Sequence, residues 1–169
     1  NDFLDKNKSW SPMQFSNPSN IECHKNTTAP EIYEDVLRLG HTWSAFIHGA
    51  GTGGTIEGVR QYLHAKKINT KVCMVRPLEI VHGIQGIGDG ADYLANPDDM
   101  DSAIIISTDD AISRAKKFAN DTGISVGISS GANILASEIW KSKNSDFGII
   151  VTMLCDRGER YMSVYGKGL

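Results

Sequence analysis

Cysteine is scarce in this sequence: Cys23, Cys73 and Cys155 are odd in number and far apart in 169 residues. They form no CxxC zinc or redox motif, and they point to reduced thiols in a cytosol-like, cytoplasmic compartment. No apolar run approaches the length of a membrane span, and no signal-peptide pattern opens the chain. Charge of one sign is missing too, since 17 Lys and Arg stand against 20 Asp and Glu for a net charge of −3. That balance gives no electrostatic footprint for nucleic acid or an anionic membrane. His24, His41, His48, His64 and His82 show no ligand spacing, so no metal site is expected. Asp98, Asp99 and Asp101 read as a solvated turn rather than a catalytic carboxylate pair. Internal repeats and low-complexity tracts are absent. The first residue is Asn1 rather than Met, which reads as a fragment or a processed product.

What is abundant is glycine, and it is concentrated. Gly49-Ala50-Gly51-Thr52-Gly53-Gly54-Thr55 packs four glycines and two threonines between an apolar run, Trp43 to Ile47, and a helix-patterned one, Ile56 to Leu63. A glycine-rich turn from strand into helix lets backbone N–H groups close on an anion, and the helix dipole adds positive potential. Threonine hydroxyls supply further donors. The loop is therefore a candidate phosphate cradle.

The rest of the chain sets that loop in an α/β frame. Residues 1 to 27 are polar, with isolated anchors such as Trp10 and Phe15, and read as an irregular lead-in to a domain over 28–169. Thr28-Ala29-Pro30-Glu31 reads as a capping box opening a helix that Gly40 stops. Strands are predicted at 44–48, 71–75, 103–106, 124–128 and 147–154. Helices are predicted at 55–64, from Thr108 to Gly123, and from Ser129 or Ser130 to Trp140, with a last one opening at Gly158. A glycine-rich loop covers 83–90. Short apolar strands alternating with helices predict a three-layer open parallel sheet with helices on both faces. The loops at 49–55, 129–131 and 155–158 then fall along one rim, beyond the carboxyl ends of strands, where ligands bind in such sheets.

Gly49-x-Gly51-x-x-Gly54 also matches the dinucleotide fingerprint in a strand–turn–helix context. That reading needs an acid at the end of the next strand, where Arg76 stands instead. An arginine there could meet a 2′-phosphate, so NADP stays open as an alternative. A ligand-free turn needs fewer glycines.

Gly51-Thr52-Gly53-Gly54-Thr55 resembles the phosphate loop of the fold-type II pyridoxal-phosphate enzymes. Gln14–Asn20 and Thr27–Asp35 resemble the stretch preceding that loop in the cysteine synthase (O-acetylserine sulfhydrylase) family. Gln85-Gly86-Ile87-Gly88, Gly127–Asn133 and Gly158–Tyr161 follow in the family's order, and the resemblance covers residues 13–165. It implies a large cofactor-binding domain and pyridoxal 5′-phosphate as cofactor. It also implies an amino-acid substrate with a sulfur donor, and a homodimer when the enzyme is intact. By the same resemblance Gly51, Thr52, Gly53, Gly54 and Thr55 hold the cofactor phosphate. Ser129 sits at the pyridine nitrogen, Cys155 lies near it, and Gly86 lines the substrate cleft. A neutral hydroxyl at that nitrogen leaves the ring a weaker electron sink, which suits β-replacement over transamination. By residue type alone, Ser129 is equally a helix N-cap and Cys155 a small buried hydrophobe.

Two family features have no counterpart here. The lysine that binds the cofactor covalently, in a Ser-x-Lys-x-Arg-type segment, does not occur. Neither does the Thr-Ser-Gly-Asn-Thr-Gly-type loop that binds the substrate carboxylate. Arg76 stands where the family often has glutamate, and the connection from Pro77 to His82 is short. The expectation is a cofactor-binding domain of a cysteine synthase-like enzyme, inactive as this chain because no catalytic lysine is present. A truncated, non-catalytic binding homologue is the alternative. The Cys155-Asp156-Arg157-Gly158 segment hints at the isoform with a broader choice of sulfur donor.

Overall fold

Apolar alternation on both sides of each strand decides the architecture. In Trp43–Gly49 (β1), Phe46 packs to one side while Ala45 and Ile47 pack to the other. In Lys71–Pro77 (β2), Val72 and Met74 oppose Cys73 and Val75. Both faces must therefore be covered, as parallel sheets require. Together with Ser102–Ile106 (β3) and Ile149–Thr152 (β4), these strands pair into one parallel sheet of order β3-β2-β1-β4. The register sets Gly49 beside Val75, and Ile47 beside both Cys73 and Thr152. The computed structural model describes residues 10–88, 93–144 and 148–166. Residues 1–9 of the lead-in, Asp89 and Gly90 of the second glycine-rich loop, and Phe147 of the last strand lie outside them.

Helices Ser19–Asn26 (α1), Thr28–Arg38 (α2) and Gly54–Lys66 (α3) come from the chain before β2. Ala29, Val36, Ile56, Val59 and Leu63 of α2 and α3 bury against Phe46, Val72 and Met74. Thr108–Thr122 (α4), Ile128–Lys143 (α5) and Met162–Tyr165 (α6) contribute to the opposite face. There Ala111, Ala132 and Ala136 pack on Ala45, Ile47, Cys73 and Val75. Small residues at those helix positions let α4 and α5 approach closely: a Cβ at Gly131 would come within 2.9 Å of the Ala115 amide nitrogen. The predicted three-layer open α/β sheet is what the chain adopts.

Four local readings are corrected. Residues 19–26 are helical, not irregular. α1 buries no residue fully, so it shows no apolar stripe from which a helix could be read. Thr28 makes no capping box; Thr27 precedes the helix without a side-chain cap bond, and the Thr28 hydroxyl instead meets His24 Nδ1 at 2.9 Å. Ile124–Ile128 is not a strand: Val126 makes an isolated antiparallel bridge to Arg157, and Ile128 already begins α5. Gly127, with extended backbone, is the residue before that helix. Ser129 and Ser130 therefore occupy its first turn, and neither is an N-cap.

Candidate cofactor site

β1 and β4 end side by side, and the chain leaves them in loops that face the N-terminus of α5. A cleft of about 410 Å³ opens there, lined by Gly51, Thr52, Gly53 and Thr55 on one wall and Gln85, Gly86 and Ile87 on another. Ser129, Cys155, Asp156, Arg160 and Tyr161 complete it. The residues singled out from sequence thus converge, with Gly54 just behind the wall as the first residue of α3. Arg76 lines a separate depression with Glu79 and His82.

The loop's shape depends on glycine at two points. Gly53 has φ +86, and a Cβ there would lie 2.6 Å from the Ala95 amide nitrogen. A Cβ at Gly51 would lie 2.6 Å from the Gly86 carbonyl oxygen. That approach brings the two glycine-rich loops together as walls of one cleft. The first turn of α3 leaves amides without i−4 partners, and Thr55 and Ile56 of that turn line the same space.

The Thr52 hydroxyl is arranged as a donor. Thr52 Oγ1 accepts from the Asn20 side-chain amide at 3.0 Å and from the Gly54 backbone N–H at 3.2 Å. Both its lone pairs are then used, which leaves only its O–H to give. Thr55 Oγ1 lies 3.2 Å from His24 Nε2. Amides, hydroxyls and a helix N-terminus suit a phosphate monoester, and the glycines leave it room.

A buried polar hub fixes the opposite wall. Asn133 is fully buried. Its Oδ1 accepts the Gly49 N–H at 2.9 Å, and its Nδ2 donates to the Met153 carbonyl at 3.0 Å and meets His48 Nδ1 at 3.2 Å. One side chain of α5 thus ties the ends of β1 and β4. Burial, with His24 adding to it, lowers the His48 imidazole to about 4, so it is neutral near pH 7. Ser129 is 5% exposed, and the neighbouring Ser130 hydroxyl accepts the Cys155 N–H at 3.0 Å. Cys155 is exposed on the cleft wall rather than the buried hydrophobe its residue type suggested; desolvation there raises its thiol, with a hydrogen bond to Ser129 opposing it. The Tyr161 hydroxyl donates to Asp156 Oδ2 at 2.5 Å. Burial and that carboxylate push the phenol up to about 12.

Sequence reading missed His48, Asn133, Asp156, Arg160 and Tyr161 as parts of the site. Asn133, Arg160 and Tyr161 stand inside motifs already noted, 127–133 and 158–161, so the signal was present without a role attached. Asn20 ends the Gln14–Asn20 stretch already noted but had no role attached, and His24 carried no signal of its own, because their cradle partners lie on α3 and in the loop before it.

A parallel sheet carrying a glycine–threonine cradle at its carboxyl rim, opposite a buried serine, defines an α/β domain built to hold a phosphate-bearing cofactor. The family described as "Pyridoxal-phosphate dependent enzyme" matches residues 2–156. The chain belongs to that family, in its fold-type II branch, and the family's cofactor is pyridoxal phosphate. It is similar to "Cysteine synthase B" of Campylobacter jejuni, at 39% identity over 95% of this chain and 55% of that protein. "Cysteine synthase" of Staphylococcus aureus is 37% identical over 91% of this chain and 52% of that protein. Among solved structures, O-acetylserine sulfhydrylase isoform 3 of Entamoeba histolytica superposes with a TM-score of 0.86 at 35% identity, covering 99% of this chain and 53% of that one. The chain spans about half the length of the curated relatives it matches.

Proposed function

We propose that these residues form the cofactor-holding part of a cysteine synthase-like enzyme, one that replaces the β-substituent of O-acetylserine with sulfide to give cysteine. The observation that carries this reading is the convergence of the Gly51–Thr55 cradle, Gly86 and Ser129 on one cleft. Bound pyridoxal phosphate would supply an electron sink for carbanion chemistry at an amino-acid α-carbon. The backbone amides of Gly51, Thr52, Gly53 and Thr55, with the two threonine hydroxyls, would hold the phosphate, while the Gly54 amide orients Thr52. Ser129 would offer a neutral hydroxyl to the ring nitrogen, with Cys155 on the same wall of the cleft. Gly86 and Ile87 close one wall and narrow the space open to water.

The cleft supplies no lysine among the described residues that line it. Covalent attachment of the cofactor, and proton removal at the substrate α-carbon, therefore need a lysine from outside this lining. On this reading the 169 residues bind the cofactor non-covalently and do not turn over, and the intact enzyme is a cytoplasmic homodimer. Titration with pyridoxal phosphate and with pyridoxal, followed by absorbance, tests the first point. The phosphate ester should bind at least tenfold more tightly, and equal affinities would refute the cradle. Cysteine formation from O-acetylserine and sulfide by this chain alone would refute the second.

A further inference from the structure

α1 packs along α3 where α3 carries Gly54 and Gly58. A Cβ at Gly54 would run into the Asn20 side chain, and one at Gly58 would lie 2.7 Å from His24 Cβ and from the Ile21 carbonyl oxygen. Glycines four apart on α3 thus face Asn20 and His24, four apart on α1 and therefore on one helix face. Each of the two reaches one threonine of the cradle. Asn20 Nδ2, also bonded to the Gln14 carbonyl at 2.9 Å, donates to Thr52. His24 meets Thr55 through Nε2 and Thr28 through Nδ1.

For Asn20 the direction is fixed, because an amide nitrogen only donates. For His24 it depends on which ring nitrogen carries the proton. With the proton on Nδ1, the ring donates to Thr28 and Nε2 takes the Thr55 hydrogen, leaving Thr55 nothing to give an anion. With the proton on Nε2, the ring donates to Thr55 Oγ1 and accepts from Thr28, and the Thr55 O–H stays available.

We propose that Asn20 and His24 are positioning residues for the phosphate, with His24 held as the Nε2–H tautomer so that both cradle threonines present their hydrogens to the ligand. This rests on the cofactor reading above. The two residues touch no ligand themselves; they act by filling the acceptor sites of Thr52 and Thr55. Partial burial disfavours the imidazolium form of His24, which makes the choice of tautomer the deciding one. A hydroxyl orientation fixed before binding costs no reordering when the anion arrives.

Two measurements on the full chain test it. Long-range nitrogen–proton NMR of the ligand-free chain should show His24 protonated at Nε2, and an Nδ1–H ring overturns the proposal. In titrations, His24→Leu and Asn20→Asp should each weaken pyridoxal phosphate about tenfold and leave pyridoxal unchanged. His24→Gln, whose amide can donate from a similar reach, should recover most of the loss. Unchanged phosphate-ester affinity in His24→Leu overturns the proposal. Equal losses for both ligands do the same, since they mark a merely structural role. If the parent chain shows no preference for the phosphate ester, the cofactor reading itself fails, and the phosphate role of the pair falls with it.

Discussion

The Asn133 side chain on α5 accepts the Gly49 backbone N–H at 2.9 Å across 84 residues of sequence. The same side chain holds the Met153 carbonyl, so the cleft walls from β1 and β4 share one buried anchor. Replacing it with leucine strands a buried amide and a partly buried carbonyl. Each stranded group costs roughly 1–3 kcal/mol. Asn133→Leu should therefore lower stability by about 3 kcal/mol, or roughly 6–12 °C in melting temperature for a chain of this size. Urea or thermal melts check it, and a loss under about 1 kcal/mol would mean the hub is not the tie described.

Gly53 and Gly40 make a matched pair for testing the loop. Both have positive φ, +86 and +73, but only Gly53 has the Ala95 amide in the way of a Cβ. An alanine at either position pays about 1–2 kcal/mol for left-handed backbone. Gly53→Ala adds a collision with backbone that cannot swing aside. It should cost more stability than Gly40→Ala and abolish the preference for pyridoxal phosphate over pyridoxal. Gly40→Ala, at the far end of α2, should keep that preference.

His48 gives the fold a mild acid sensitivity. Its imidazole titrates at about 4 in the folded chain and near 6.5 in the unfolded one. Between those values the unfolded state binds a proton that the folded state refuses. Stability is therefore full above about 6.5 and falls as pH drops toward 4, by about 3 kcal/mol across the window. His24, also lowered by burial, acts in the same direction. Urea midpoints measured from pH 7 to pH 4 should decline, and His48→Leu should flatten the slope.

The difference between what was readable and what was not follows from where the forces come from. β1, β2 and the cradle were legible because alternating apolar residues and clustered glycines are local signals. α1 was not, because its order comes from polar contacts and a glycine groove on another helix. Ile124–Ile128 read as a strand from its β-branched residues, yet among the described residues no strand pairs with it beyond the single bridge at Val126. Gly51, Thr52, Gly53, Thr55, Gly86, Ser129 and Cys155, singled out from their motifs, line the cleft. Asn133 and His48 act through partners 20 or more residues away, and His24 meets Thr55 31 residues away, and no local pattern carries that information.

Tyr161 and Tyr165 offer a spectroscopic test of the cleft's floor. Both phenols are pushed to about 12, first by burial and then by Asp156. Only Tyr161 donates to that carboxylate; the Tyr165 hydroxyl donates to the Val126 carbonyl at 2.8 Å. Alkaline titration of phenolate absorbance should therefore show a late step, near pH 12, from Tyr161 and Tyr165. Asp156→Asn removes the negative charge but leaves the burial. It should move Tyr161 down the most and Tyr165 by less, with neither reaching the ordinary value near 10. If both tyrosines dropped to that value, the carboxylate rather than burial would be the dominant cause. If neither moved, Asp156 and Tyr161 would not be the hydrogen-bonded pair that closes this end of the site.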